Sequence, residues 1–194
     1  MNLVLDPSSV PSYSTIEVLS FLKKRCGVLE AVCITGGEPT LQKDLPEFIR
    51  DIRSMGYPVK LDTNGTNPDM LRSLAESGLI DYVAMDIKSS PENYHLVAGV
   101  DDPGLPEIME SISFLINGSL DYEFRTTVTS QYHTPDVIQE IGTLIQGAKQ
   151  YYLQSFRDSD HVIDHSLTPC SKEELLSYRE ILLSYVDKVE LRGV

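Results

Sequence analysis

The chain has 194 residues, long enough to bury a hydrophobic core and about the size of a single domain. With 41% hydrophobic and 23% charged residues and no low-complexity block, it falls outside the disordered, collagen-like and membrane-embedded classes. Its formal charge of −13 opposes a phosphate backbone, and the one basic run, Lys23 to Arg25, lies inside a helical pattern, so no nucleic-acid partner is expected.

No stretch reaches the roughly 18 apolar residues of a membrane span, and Met1 to Pro7 has no basic start ahead of a long apolar run. No membrane partner and a cytoplasmic location follow as expectations. The three cysteines, Cys26, Cys33 and Cys170, have neither disulfide-framework nor CxxC spacing. Cys33 lies in an apolar run and reads as a small buried hydrophobe.

Along the chain, short runs of branched residues alternate with segments of helical period, the pattern of repeated strand–helix units and a parallel sheet. A first helix is predicted over Ser14 to Arg25, with Ser14 and Glu17 at capping-box spacing and Gly27 as its stop. A strand over Ala31 to Thr35 leads into the loop Gly36-Gly37-Glu38-Pro39, followed by a helix over Asp44 to Met55. The cycle repeats with strand Val59 to Asp62, the turn Thr63-Asn64-Gly65, helix Pro68 to Glu76 and strand Tyr82 to Ile87.

Ser89 to Pro106 is the least regular stretch, with three prolines and a short helix predicted near Tyr94. Beyond it come helix Glu107 to Ile116, strand Tyr122 to Val128, helix Pro135 to Ala148, strand Tyr151 to Ser155, helix Lys172 to Val186 and strand Lys188 to Leu191. No linker composition interrupts the series, so residues 1–194 read as one layered α/β domain. The strands read as nearly continuous apolar runs, as expected when both sheet faces are covered.

Polar residues appear where the apolar runs stop: Thr35 with Glu38, Asp62 with Thr63 and Asn64, Asp86 with Lys88, Arg125 with Thr127, and Gln154 with Arg157. In a parallel sheet these ends share one rim, where α/β proteins of this kind build their sites. Paired glycines at 36 and 37 let the backbone approach a ligand, and the Glu38 carboxylate suits an ammonium group. A plain strand-to-helix turn accounts for the same residues. Asp62, Thr63 and Asn64 fit either an Asx turn or hard-oxygen recognition of a hydroxyl or cation.

Asp86 and Lys88 alternate, so both face the same way, and burying them demands a partner. His95, His133, His161 and His165 show no ligand spacing; the last three lie in predicted loops and read as surface residues. Outside any family, Glu38, Asp86 and Lys88 also fit acid, base or Schiff-base chemistry in an α/β-barrel lyase or isomerase.

The segments GGEPTLQKDL (Gly36 to Leu45), VKLDTNGTNP (Val59 to Pro68), DYVAMDIK (Asp81 to Lys88), FRTTV (Phe124 to Val128), YYLQSFR (Tyr151 to Arg157) and VELRG (Val189 to Gly193) together resemble the radical S-adenosylmethionine (radical SAM) superfamily. Within it, the chain is similar to the activating enzymes of anaerobic ribonucleoside-triphosphate reductase and pyruvate formate-lyase. The resemblance implies a partial (β/α) barrel with parallel strands that binds S-adenosylmethionine beside a [4Fe-4S] cluster. It further implies a glycyl radical enzyme as partner and an electron donor such as flavodoxin or ferredoxin.

By the same resemblance, Gly36, Gly37 and Glu38 would receive the methionine amino group. Asp62, with Thr63 beside it, and Asp86 would contact the cofactor or a neighbouring monovalent cation. Lys88 would face the methionine carboxylate, and Asn64 and Arg125 would line the pocket. The family's CxxxCxxC motif is absent, and three closely spaced thiolates are needed because each binds one iron.

Met1-Asn2-Leu3-Val4 looks like a chain resuming just past that motif, as though the first strand and cluster loop had been removed. This chain is therefore expected to bind no [4Fe-4S] cluster and to hold no metal. Two explanations compete: truncation of a complete activating enzyme, or a natural cluster-free module that binds S-adenosylmethionine or a partner.

Overall fold

The computed structural model describes residues 13–159, 162 and 164–194. Met1 to Val4 and His161, both singled out in the sequence, lie outside them. Helix α1 (Thr15–Lys24) begins as predicted: Ser14 Oγ accepts from the Glu17 amide and the Glu17 carboxylate accepts from the Ser14 amide, satisfying two orphan donors at once. Strand β1 (Val32–Ile34) follows, then a single 3₁₀ turn (Pro39–Leu41) and α2 (Leu45–Ser54).

Next come β2 (Val59–Thr63), α3 (Pro68–Glu76), β3 (Tyr82–Asp86) and the short α4 (Tyr94–Ala98) within the irregular stretch. The chain continues through α5 (Leu105–Asn117), β4 (Asp121–Val128), α6 (Pro135–Leu144), β5 (Tyr151–Ser155), α7 (Lys172–Leu182) and β6 (Val189–Arg192). Helices α6 and α7 each stop four residues short of the sequence expectation. Their closing turns bond to each other instead, the Gly147 amide to the Tyr185 carbonyl at 2.9 Å and the Asp187 amide to the Ala148 carbonyl at 3.1 Å.

Among the described residues the six strands are all parallel and lie in chain order, from β1 to β6. The sheet is an open partial barrel. Register sorts its side chains into two sets. Leu61 aligns with Val83, Met85 with Phe124, Phe124 with Tyr151 and Leu153 with Leu191; nearly all of these are fully buried and form the core beneath the helices.

Cys33 aligns with Lys60, Asp62 with Ala84, Asp86 with Arg125 and Gln154 with Arg192, and these occupy the opposite face. The expectation that helices cover both faces therefore fails. Successive side chains alternate between faces, and the second face is the polar lining of the barrel.

Two smaller expectations also fail. Cys33 lies on the polar face, is exposed, and sits with its Sγ 3.5 Å from Asp62 Oδ1. Burial, and then the Asp62 charge, push its thiol pKa up. His133 is buried rather than on the surface. Its Nδ1 accepts from the Thr129 amide at 3.1 Å, which leaves the proton on Nε2 to donate to the Lys88 carbonyl at 3.0 Å. Burial pushes the His133 pKa down, so the neutral ring serves as a brace between the ends of β3 and β4.

Candidate active site

The glycine loop after β1 is shaped by its own carboxylate. Gly36 has φ +132°, a backbone conformation that L side chains rarely adopt, and nothing lies within 4 Å of where a Cβ would stand. Glu38 then caps the 3₁₀ turn: Oε1 accepts from the Thr40 amide at 3.1 Å and from the Thr40 hydroxyl at 2.6 Å. The same carboxylate reaches the next unit, accepting from Thr63 Oγ1 at 2.8 Å and from the Asn64 amide at 2.6 Å.

Four hydrogen bonds thus spend most of the acceptor capacity that the sequence offers to a ligand ammonium. Glu38 positions the loop, and the exposed Gly36–Gly37 backbone is what faces outward. The turn after β2 follows the local reading. Asn64 Oδ1 accepts from the Thr66 amide and hydroxyl, an Asx turn, while Thr63 is buried and its hydroxyl accepts from the Gly65 amide at 3.1 Å. Gly65, at φ +80°, packs against Met85, whose Cε would lie 2.0 Å from an added Cβ.

The charged residues converge on the polar face. Arg125 Nε donates to Asp86 Oδ1 at 2.5 Å and its Nη1 to Asp62 Oδ2 at 3.0 Å. Lys60 Nζ donates to Asp62 Oδ1 at 2.8 Å, and Lys88 Nζ to Asp86 Oδ2 at 2.9 Å. Lys88 pairs with Asp86, and Arg125 adds a second cation to the same carboxylate, although the pair is half-buried rather than interior. Burial pushes the Asp62 carboxyl up, but Lys60 and Arg125 outweigh it and hold it below the usual carboxylate range.

Two hydrogen-bonded networks thus lie side by side at the carboxyl ends of β1 to β4: Glu38 ties the glycine loop to the β2 turn, and Asp62, Arg125, Asp86 and Lys88 form a charged series, the two meeting in the chain at Asp62–Thr63. Lys60 escaped the sequence reading although VKLDT alternates apolar and polar residues. Glu123 escaped it too: it is buried, paired through both oxygens with Arg192 at 2.7 and 2.8 Å, and accepts from the Tyr82 hydroxyl at 3.0 Å. Arg192 in turn stacks on Tyr152, 3.3 Å from the ring centre.

A cavity of about 600 Å³ lies between α1, α2 and the glycine loop, but its walls are mostly apolar; Gly37 and Glu38 line it, and Asp62, Arg125, Asp86 and Lys88 do not. The three cysteines do not converge. Cys26 Sγ contacts backbone carbonyls of Leu22 and Met55, Cys33 faces Asp62, and Cys170 is buried near Ser130. Among the described residues no group of three or more His, Cys, Asp or Glu could hold a metal ion. No helix there is long and apolar enough to cross a membrane.

The model of the radical SAM superfamily matches residues 9–145. The chain belongs to the radical SAM superfamily. A Methanocaldococcus jannaschii protein named "putative glycyl-radical enzyme activating enzyme" is 33% identical over 171 residues, 85% of this chain and 71% of that protein. Among solved structures, a domain of pyruvate-formate lyase-activating enzyme from Bacteroides vulgatus superposes with TM-score 0.69 at 16% identity, covering 85% of this chain and all of that one. Streptococcus suis SuiB bound to S-adenosylmethionine superposes at 0.72 and 13% identity, covering 95% of this chain and 44% of that one. At such identities the two structures speak for the fold: an open, parallel radical SAM barrel.

Proposed function

We propose that this radical SAM chain is the S-adenosylmethionine-binding part of a glycyl-radical-enzyme activating enzyme. Its partner would be of the anaerobic ribonucleotide reductase or pyruvate formate-lyase type, with a flavodoxin or ferredoxin as electron donor. The observation that carries the reading is the gathering of two hydrogen-bonded networks on one rim of the sheet, the Glu38 tie from the glycine loop to the β2 turn and, next to it, the charged series from Asp62 to Lys88. A methionine zwitterion needs an ammonium acceptor and a cationic partner for its carboxylate on one surface. Here the Gly36–Gly37 backbone is open to the first, and Lys88, half engaged with Asp86, is available to the second.

Bound there, S-adenosylmethionine supplies a sulfonium-activated adenosyl group. Glu38 keeps the loop open, Asp62 and Asp86 orient the cationic side chains, and Thr63 and Asn64 fix the rim. The cysteines do not fit a [4Fe-4S] cluster, because their three sulfurs face three different parts of the molecule. On this reading the cluster ligands belong to a longer parent polypeptide.

Titrating S-adenosylmethionine against wild type and Asp62→Ala tests the pocket. Wild type is expected to bind and the variant to bind about tenfold more weakly; equal heats, or none, overturn the assignment. Anaerobic reconstitution with iron and sulfide is expected to leave this chain without a stoichiometric cluster.

The same cysteine geometry favours a second reading, a natural cluster-free module. An in-frame CxxxCxxC upstream in the parent gene decides for the activating enzyme, and its absence decides for the module. The lyase or isomerase reading loses ground because the Lys88 ammonium is engaged with Asp86 rather than free as a nucleophile.

A further inference from the structure

Lys88 stands just past the β3–β4 ladder, beyond the bond from the Ile87 amide to the Arg125 carbonyl at 2.9 Å. Its ammonium pairs with Asp86, while its carbonyl is held by His133, 45 residues further along the chain. His133 is only 1% exposed and is itself fixed from two sides. Its amide donates to the Thr129 carbonyl at 3.1 Å, and the Thr129 amide donates back to Nδ1 at 3.1 Å, closing a tight loop between β4 and α6. From α7, the Tyr178 hydroxyl donates to the His133 carbonyl at 2.6 Å.

A ring nitrogen that accepts an amide hydrogen carries no proton of its own. The ring is therefore neutral, with its proton on Nε2, the one form that can donate to the Lys88 carbonyl at 3.0 Å. Protonation would set Nδ1–H against the Thr129 N–H, and the contact would part. Burial lowers the His133 pKa and outweighs the Lys88 and Thr129 backbone bonds that oppose it. Burial, then Cys170 and Glu174 near its hydroxyl, push Tyr178 up to about 12, so it stays a donor.

Ser89 and Thr129, which adjoin the ring's two partners, are buried, and their own hydroxyls have no partner among the described residues. The turns after β3 and β4 lean on the imidazole rather than on these side chains. Holding a carbonyl fixes its peptide plane, and with it the ψ of Lys88 and the direction from which its side chain leaves the rim.

We propose that His133 is a positioning residue for the rim: its neutral Nε2–H fixes the peptide after Lys88, and so aims the Lys88 ammonium at the carboxylate of the bound ligand. The ligand half of this inference rests on the S-adenosylmethionine reading; the brace itself does not.

The brace is tested without ligand by 15N NMR of the histidine rings. At pH 7, His133 is expected as the neutral Nε2–H tautomer, with a midpoint below 6.5, and the Ser89 amide, which shares the Lys88 peptide, is expected to shift with the same midpoint. A proton on Nδ1, or a Ser89 amide that ignores the titration, overturns the proposal.

The aim is tested by comparing S-adenosylmethionine with its decarboxylated form on wild type, His133→Gln and His133→Phe. Wild-type affinity for S-adenosylmethionine is expected to fall as the pH drops through the His133 midpoint, and affinity for the decarboxylated form to stay within about twofold. His133→Gln keeps a donor and an acceptor but cannot titrate, so it is expected to bind within about threefold of wild type and to lose the acid limb. His133→Phe is expected to bind S-adenosylmethionine about tenfold more weakly at every pH and to spare the decarboxylated form.

A Gln variant that keeps the acid limb, or a Phe variant that weakens both ligands alike, overturns the aiming role. If His133→Phe does not fold, the pH profile of His133→Gln decides it. Wild type that binds neither ligand overturns the S-adenosylmethionine reading and the aim with it, and the ring spectra still decide the brace.

Discussion

The two faces of the sheet are built from the same strands yet held by opposite chemistry. Under the helices, Leu61, Val83, Met85, Phe124, Tyr151 and Leu153 are almost wholly removed from water, and burial area stabilises them without regard to orientation. On the other face, Asp62, Arg125, Asp86, Glu123 and Arg192 are held by directional, charge-assisted bonds. The difference teaches that one face carries the stability and the other is free to carry the site, because a polar network contributes only a modest net energy once its desolvation is counted.

The largest contrast is expected from Phe124→Ala, which opens a cavity in the helix-covered face and should cost about 3–5 kcal/mol, against no more than about 0.5 kcal/mol for Gln154→Ala opposite it. Urea unfolding of both variants measures the gap, and equal losses would dissolve the distinction between the faces. Gly65→Ala follows. Both its φ of +80° and the Met85 methyl 2.0 Å from the new Cβ oppose it, for an expected cost of about 2 kcal/mol by the same measurement.

Glu38→Gln exchanges a carboxylate that accepts four hydrogen bonds for an amide with one acceptor oxygen, an expected cost of about 1.5 kcal/mol. Because Glu38 ties the glycine loop to the β2 turn, the variant should also weaken S-adenosylmethionine binding. A loss of stability with affinity intact would place the ligand away from the loop.

The smallest effect is a pH dependence. Burial raises the Asp62 and Glu123 carboxyls, but Lys60 and Arg125 around one, and Arg192 and Tyr82 around the other, hold both below their ordinary values of 3.8 and 4.5. A lowered carboxylate stabilises the fold above its ordinary value, and that contribution is lost as the pH falls through the lowered one. Glu123→Gln should therefore lose less stability than wild type between about pH 5 and pH 3. A wild type and variant with the same acid limb would mean that the Arg192 pair is not held in solution.

Much of the architecture is legible in the residues. The Ser14–Glu17 box, the strand Tyr151–Ser155 and the helix Pro68–Glu76 follow from caps, prolines and branched runs, which act over a few residues. The site is half legible. Asp62, Asp86 and Arg125 announce themselves as polar breaks at strand ends and Gly36 by its glycine pair, whereas Glu38 reads as a ligand contact until Thr40, Thr63 and Asn64 are seen to occupy it. His133 and Cys33 were misplaced because burial depends on which neighbours arrive from distant strands.

The sequence by itself determined the order of strands and helices, the parallel sheet they imply and the rim on which polar residues gather, since alternation and capping are local properties of the chain. Only the tertiary structure decided which face of each strand meets the helices, and that Arg125 spans β3 over Ala84 to join Asp62 and Asp86. Such contacts span 39 and 63 residues of chain, and the energy that selects them exists only after the strands have come into register.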